Sequence, residues 1–122
     1  MSPRKTILLV EDETDLTQVL EAGLEKAGWG ILVAHDGEEG LKKANEMLPD
    51  LILLDIAMPR MNGFQVCHDL KTNPKTKKIP VIMLTVNSRP SDKSWGIEVG
   101  ACDYITKPFT MESLKQHISA HL

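Results

Sequence analysis

The sequence lacks a long apolar run, a strong excess of charge and a set of cysteines. No window of the 122 residues approaches the roughly 18 unbroken apolar residues of a membrane span. The net charge is −3 at pH 7, so nothing in the charge balance favours binding to nucleic acid or to a membrane. With two cysteines, no disulfide framework is expected, and no repeat, low-complexity tract or linker divides the chain.

The N-terminus lacks the apolar region of a secretory signal. Residues 1–5 lead directly into a strand pattern, so we expect a cytoplasmic protein in which Cys67 and Cys102 are free thiols. The rest of the composition is ordinary for a soluble protein, with 42% hydrophobic and 25% charged residues. The length predicts a single domain, residues 1–122, that buries about two-thirds of its unfolded surface.

Short apolar runs alternate with segments of helical periodicity. The run at 51–54 lies between Asp50 and Asp55, and four apolar residues bounded in this way are typical of a strand buried on both faces of a parallel sheet. Strands are predicted at 6–10, 31–34, 51–54, 80–84 and 102–105, and helices at 14–27, 37–48, 63–71, 93–99 and 111–121. This alternation predicts a doubly wound α/β fold: a five-stranded parallel sheet in the flavodoxin-like order 2-1-3-4-5, with helices on both faces.

The helical segments carry start and stop signals and an apolar face. Asp36 can cap the second helix, Pro49 ends it, and Gly28 is the expected stop of the first. Apolar residues at three- and four-residue spacing mark the faces that we expect to be buried. They are Leu16, Val19, Leu20 and Leu24 in the first helix, Leu41, Ala44 and Leu48 in the second, and Leu114, Ile118 and Leu122 in the last.

Polar side chains follow four of the predicted strands. They are Glu11 and Asp12 after the first strand, Asp55 after the third, Thr85 after the fourth and Lys107 after the fifth. Because the carboxyl ends of parallel strands share one edge of the sheet, where α/β folds place ligands, we expect these side chains to meet. The alternative is that Asp55 only caps the helix that follows it.

Three carboxylates in one pocket cannot all stay ionised without compensating charge. A divalent cation among Glu11, Asp12 and Asp55 would supply it, and so would Lys107 paired with Asp55. Oxygen ligands of this kind suit Mg²⁺. A reactive carboxylate with Mg²⁺, a lysine and the Thr85 hydroxyl resembles a phosphoryl-transfer site, in which Asp55 would be the nucleophile that forms an acyl phosphate.

These residues lie in motifs that resemble the receiver domain of two-component response regulators. The motifs are Val10-Glu11-Asp12, Asp55-Ile56-Ala57-Met58-Pro59 with Gly63, Leu84-Thr85, and the run from Gly100 through Lys107-Pro108-Phe109. Each motif is weak alone, but all four in order, each after a predicted strand, are specific and cover essentially the whole chain. The segment at 92–96 is similar to single-domain receivers of the chemotaxis and twitching-motility type.

The resemblance implies a phosphorylation site with its metal. Asp55 matches the phosphoacceptor. Asp12 matches the direct ligand of Mg²⁺, and Glu11 matches the carboxylate that acts through a metal-bound water. The main-chain carbonyl of Ala57 matches the third protein ligand.

The resemblance also implies a switch and its partners. Thr85 and Lys107 match the hydroxyl and the lysine that contact the phosphoryl group, and Tyr104 matches the aromatic switch residue whose rotamer follows the threonine. The Lys107–Pro108 bond is similar to one that is often cis. The protein would be a signalling switch, not an enzyme. It would accept a phosphoryl group from a histidine kinase or phosphotransfer protein and bind a target through its fourth helix, fifth strand and last helix.

Four alternatives stay open. A flavin-binding protein of the same topology would need a Ser/Thr/Gly-rich loop after the first strand, where this chain has Glu11-Asp12-Glu13. A phosphatase with an aspartate nucleophile would have a second aspartate at the position of Ala57. The chain is otherwise a fragment of a longer regulator whose output domain is absent, or a receiver that binds its partners without phosphate.

Two features outside these motifs have a less defined interpretation. Trp95 either anchors a partner or packs on its own domain. His117 and His121 are four residues apart but have no acidic third member in the sequence around them. We interpret them as surface residues of the last helix, not as metal ligands.

Val86 stands directly after Thr85, where the family usually has alanine or glycine. We expect the branched side chain to crowd the phosphoryl group and to slow both phosphorylation by small donors and attack by water. The substitution Val86→Ala should therefore change the lifetime of the phosphorylated protein. Equal lifetimes for the wild type and the variant would contradict this idea.

Overall fold

The fold is described by a computed structural model over residues 4–58, 61–85 and 100–122. The strands are β1 (Thr6–Val10), β2 (Gly30–Ala34), β3 (Leu51–Asp55), β4 (Val81–Thr85) and β5 (Asp103–Thr106). The described helices are α1 (Thr14–Lys26), α2 (Gly37–Met47), α3 (Gly63–Thr72) and α4 (Met111–Ala120). The helix predicted at 93–99, with Trp95, and the neighbouring Val86 lie outside the described residues. Among the described residues no helix has the length and apolarity to cross a bilayer.

All five strands are parallel and hydrogen-bonded in the order β2-β1-β3-β4-β5, which confirms the predicted flavodoxin-like topology. β3 lies at the centre, and every one of its residues is buried. Because successive side chains of a strand point to opposite faces, Ile52 and Leu54 pack with residues of α2 and α3. Leu51 and Leu53 pack with residues of α1 and α4. The sheet therefore separates two apolar cores, and helices cover both of its faces.

Side chains cap the starts of α2 and α3. The Asp36 side chain accepts a hydrogen bond from the Glu39 N–H (2.7 Å), which confirms Asp36 as the cap of α2. Asn62 caps α3 in the same way, through the Gln65 N–H (3.0 Å). Because Asn62 fills this role, the alternative in which Asp55 caps the helix is wrong.

Three burial predictions are wrong, each for a local reason. Val19 is 63% exposed because α1 buries the stripe that includes Leu20 and Leu24, and Val19 lies beside that stripe. The helix α2 ends one residue before Leu48, which takes a left-handed backbone conformation (φ 46°) and leaves half of its surface exposed. Leu122 lies beyond the end of α4 and is also exposed.

Gly63 allows the start of α3 to lie against the end of β3. Its N–H donates a hydrogen bond to the Ile56 carbonyl (2.9 Å). A β-carbon at this position would lie 2.5 Å from the Asp55 carbonyl oxygen and 2.7 Å from the Ile56 α-carbon. Both atoms belong to the backbone and cannot rotate away as a side chain can. Glycine is therefore required next to the residue at the centre of the predicted site.

The substitution Gly63→Ala should destabilise the protein by about 1–3 kcal/mol, because the new methyl group overpacks against backbone atoms. The free energy of unfolding in urea measures this effect. Gly30→Ala is the matched control, since a β-carbon there would make only ordinary contacts of 3.6 Å or more, and it should be nearly neutral. Equal effects of the two substitutions would contradict the close approach at Gly63.

Candidate functional site

The carboxyl ends of β1, β3, β4 and β5 meet at one edge of the sheet. Asp55 is the last residue of β3 and pairs in register with Leu84, next to Thr85. Glu11 follows β1 directly, and its N–H continues the sheet by donating to the last carbonyl of β2 (3.0 Å). The Lys107 N–H donates to the Thr85 carbonyl (2.6 Å), which places the lysine at the same edge. The structure thus brings the predicted strand-end residues together.

Three carboxylates converge at this edge and are named here the acidic pocket. Glu11, Asp12 and Asp55 each offer an oxygen, and these oxygens all lie within 4.8 Å of one another. Glu11 and Asp55 are buried (1% and 4% exposed), whereas Asp12 is exposed. The acidic pocket is therefore closed on the side of the sheet and open to solvent at Asp12, so an ion can reach it.

Among residues 4–58, 61–85 and 100–122, one ammonium group lies against the acidic pocket. Lys107 Nζ is 2.8 Å from Glu11 Oε1 and 3.6 Å from Asp55 Oδ1. The predicted ion pair of Lys107 with Asp55 is present. Glu11 is a second partner of the lysine, which is closer and hydrogen-bonded. Burial acts to lower the pKa of Lys107, but the hydrogen bond to Glu11 and the charge of Asp55 raise it, so the lysine is charged.

Burial and crowding raise the pKa of Asp55 to about 7. Desolvation is the largest cause and the neighbouring Glu11 adds to it, whereas Lys107 and the Ala57 N–H oppose it in part. Burial also acts to raise the pKa of Glu11, but its hydrogen bonds, first of all the one from Lys107, lower it overall. Asp55 is therefore the carboxyl group that holds a proton near neutral pH when no added cation compensates its charge.

The donor set of the acidic pocket fits a hard divalent cation. Its ligand atoms are all carboxylate oxygens, and a cation would remove the need for a proton on Asp55. The Ala57 N–H donates to Asp55 Oδ1 (3.1 Å). This hydrogen bond holds Ala57, whose carbonyl is a predicted ligand, in the same turn as Asp55. The ligand roles of Glu11, Asp12, Asp55 and Ala57 remain predictions.

The two predicted switch residues lie on neighbouring strands. Thr85 ends β4 and is buried. Tyr104 lies in β5, is partly buried and packs against the core on the side of α2 and α3. Thr85 pairs in register with Thr106, which lies between Tyr104 and Lys107. The Lys107–Pro108 peptide bond is cis, as predicted. The switch roles of Thr85 and Tyr104 stay predictions.

A second polar cluster is not evident from the sequence. Asp103, the first residue of β5, places its Oδ2 2.7 Å from His117 Nδ1 and 3.2 Å from His121 Nε2. The expectation that these histidines lack an acidic neighbour is therefore wrong. No periodicity relates a strand residue to a helix residue 14 positions later. Only the packing of α4 on β5 brings them together.

Comparison with known protein families identifies the class of protein. The model of the response regulator receiver domain matches residues 7–119, which is most of the chain. The chain belongs to the response regulator receiver domain family of two-component signalling.

Curated relatives include both short and long proteins. Protein PilH of Pseudomonas aeruginosa is 42% identical over 116 residues, which cover 95% of this chain and 96% of PilH. The alkaline phosphatase synthesis transcriptional regulatory protein PhoP of Bacillus subtilis is 41% identical over 118 residues, which cover 97% of this chain and 48% of PhoP. The chain spans about half the length of several such relatives.

Solved structures share the fold over nearly the whole chain. Chemotaxis protein CheY4 of Vibrio cholerae superposes with a TM-score of 0.94 at 32% identity, covering 98% of this chain and 100% of that one. The receiver domain of sensor histidine kinase PA1611 of Pseudomonas aeruginosa superposes with a TM-score of 0.90 at 28% identity, covering 98% of both chains. That receiver has a magnesium ion coordinated in its active-site cleft.

The raised pKa of Asp55 predicts a pH-dependent stability of the metal-free protein. The folded state holds this proton more tightly than the unfolded state, where the pKa is near 3.8. The stability from this group is complete below the unfolded value and is lost as the pH rises towards about 7. Asp55→Asn removes this titrating group. The free energy of unfolding of the variant minus that of the wild type should therefore increase by on the order of a few kcal/mol between about pH 4 and pH 8.

Urea unfolding with a chelator present measures this gain. Asp12→Asn is the control, because water already solvates the exposed Asp12. The free energy of unfolding of this variant should change less, relative to the wild type, over the same pH range. A difference between wild type and Asp55→Asn that does not change with pH would contradict the raised pKa.

Proposed function

We propose that the chain is a phosphorylation-dependent switch of a two-component system. In this role Asp55 accepts a phosphoryl group from the phosphohistidine of a histidine kinase or phosphotransfer protein, with Mg²⁺ as the cofactor. The observation that carries the proposal is the position of Asp55, a buried carboxylate at the end of the central strand with two further carboxylates and Lys107 beside it. Membership of the receiver family supports it, as does the magnesium ion in the PA1611 receiver.

The proposed reaction moves one phosphoryl group between two protein side chains. A carboxylate oxygen of Asp55 attacks phosphorus, so that an O–P bond forms while the P–N bond to the donor imidazole breaks. The electron pair of the broken bond returns to the ring nitrogen, and this chain carries an acyl phosphate. Because Asp55 must be ionised to attack, a pKa of about 7 leaves part of the metal-free protein unreactive at neutral pH.

Positive charge serves both the carboxylate and the phosphoryl group. The proposed ligands of Mg²⁺ are Asp12, Asp55, the Ala57 carbonyl and, through a water, Glu11. When bound, the cation supplies charge that favours ionised Asp55 and neutralises the phosphoryl oxygens. Lys107 is 3.6 Å from Asp55 Oδ1, so it has the reach to exchange its hydrogen bond with Glu11 for one to a phosphoryl oxygen.

The response to phosphorylation would pass to β5. Thr85 ends β4 and Lys107 follows β5, and a backbone hydrogen bond joins them (2.6 Å). Contacts from both side chains to the phosphoryl oxygens would draw these strand ends towards Asp55, and the Tyr104 rotamer would follow Thr85. The result is a population shift at the target-binding surface, which we assign to β5, α4 and the segment at 93–99.

The proposed setting is a cytoplasmic signalling chain whose receiver contacts proteins and not nucleic acid. PilH aligns with the chain over nearly its full length, which supports a stand-alone receiver formed by residues 1–122. PhoP extends well beyond the matched region, which supports the alternative of a receiver joined to an output domain. The same phosphorylation chemistry at Asp55 serves both arrangements.

Intact-mass measurement after incubation with acetyl phosphate and Mg²⁺ tests the proposal. The wild type should gain the mass of one phosphoryl group, and Asp55→Asn should gain none. Asp50→Asn is the matched control, because Asp50 lies just before the opposite end of β3 and accepts a hydrogen bond from the Thr6 N–H (2.8 Å) that asparagine can keep. This control should react like the wild type. Phosphoryl uptake by Asp55→Asn at the wild-type rate would count against Asp55 as the acceptor.

A further inference from the structure

The turn that joins β2 to α2 (residues 34–37) touches the surroundings of the acidic pocket at two points. The Ala34 carbonyl accepts a hydrogen bond from the Glu11 N–H (3.0 Å). At the other end of the turn Gly37, the first residue of α2, is buried and lies against the side chain of Met61. Met61 belongs to the connection between β3 and α3. The turn therefore contacts segments that follow two different strands of the site.

Ala57, whose carbonyl is a proposed ligand of Mg²⁺, lies in the same β3–α3 connection, of which residues 56–58, 61 and 62 are described. Ala57 is exposed, but its neighbours are held. The Ile56 carbonyl accepts hydrogen bonds from the Met58 N–H (3.3 Å) and the Gly63 N–H (2.9 Å). The Met58 side chain is buried in the core with residues of α2 and α3. A shift of the β3–α3 connection would therefore move the Ala57 carbonyl.

A side chain at position 37 would overlap its neighbours. A β-carbon on Gly37 would lie 2.7 Å from Val66 Cγ2 and 3.0 Å from Met61 Sδ, and the first distance is shorter than normal β-carbon contacts. Valine in a helix has one strongly preferred rotamer, so Val66 cannot easily turn away. Met61 is unbranched and flexible, so a methyl group at position 37 would displace it.

We infer that Gly37 and Met61 are positioning residues of the proposed phosphorylation site. Their contact fixes the β3–α3 connection against the start of α2 and, through it, the Ala57 carbonyl. The inference rests on the proposed function, because it concerns a ligand of the Mg²⁺ which that function requires. Both residues act through Ala57 and not by contact with the ion. Groups that orient a ligand without touching the metal still change the affinity of the site.

The same contact could serve only to pack α2 against α3. In that case Gly37→Ala would change stability and leave the acidic pocket as it is. Gly23 provides the comparison, because a β-carbon there would collide with Met111, also a flexible methionine, whose Sδ would lie at 3.0 Å. That contact joins α1 to α4 on the other face of the sheet. Gly23→Ala therefore makes a similar packing change without a connection to Ala57.

Isothermal titration of Mg²⁺ into the full chain tests the inference, after urea unfolding has shown that each variant is folded. Gly37→Ala should weaken Mg²⁺ binding by about tenfold, the lower end of what changes around a metal ligand typically cost. Met61→Ala should weaken it as well, because the β3–α3 connection loses its contact with α2. Gly23→Ala is the matched control and should bind Mg²⁺ like the wild type.

The NMR resonance of the Ala57 amide in the metal-free protein gives a second readout. This N–H donates to Asp55 Oδ1 (3.1 Å), so the resonance should move in Gly37→Ala and Met61→Ala and stay in place in Gly23→Ala. Wild-type affinity and an unmoved resonance in the first two variants would overturn the inference. Equal changes in Gly23→Ala would also overturn it, because a general packing change would then explain both.

The two readouts also separate this inference from the proposed function. A wild type that binds no Mg²⁺ would count against the proposed cofactor, and the Ala57 resonance alone would then decide the role of Gly37 and Met61. A wild type that binds Mg²⁺, with affinity unchanged in both variants and the Ala57 resonance in place, would leave the proposed function intact and remove the inference.

Discussion

The contact of Lys107 with the acidic pocket is the interaction on which the candidate site depends. Two of the three carboxylates are buried, and Lys107 Nζ lies 2.8 Å from Glu11 and 3.6 Å from Asp55. Glu11 therefore has the hydrogen-bonded counter-charge, and the pKa of Asp55 is raised to about 7. A bound cation would therefore favour the ionised form of Asp55. A metal-dependent phosphoacceptor must be ionised to react.

The parallel sheet brings the three carboxylates of the acidic pocket together and fixes the backbone that carries them. Asp55 is the last residue of β3, the central strand, all of whose residues are buried. Gly63 lets α3 begin directly against the backbone of Asp55, and Asn62 caps that helix. We expect Asp55 to keep its position during the reaction, while its partners on neighbouring strands move. The ends of β4 and β5 are joined by the hydrogen bond between Thr85 and Lys107, which would carry the proposed response to phosphorylation.

Short apolar runs bounded by polar residues were enough to predict every strand to within one residue of its ends, and their alternation with helical periodicity was enough to predict the sheet order. The meeting of the strand-end residues followed from that topology. The closer contact of Lys107 with Glu11 did not follow from the topology, because it depends on side-chain reach and desolvation. The exposure of Val19 depends on the rotation of α1 about its own axis where it packs on the sheet. The contact of Asp103 with His117 joins a strand to a helix, which no local pattern records.

The central claim is that one carboxylate at the sheet edge becomes an acyl phosphate. Borohydride reduces an aspartyl phosphate to homoserine, and peptide mass mapping then locates the reduced residue. We predict reduction at Asp55, dependent on prior treatment with the phosphodonor and Mg²⁺. Reduction at Asp12 or Glu11 instead, or none in protein that carries the added phosphoryl mass, would contradict the account.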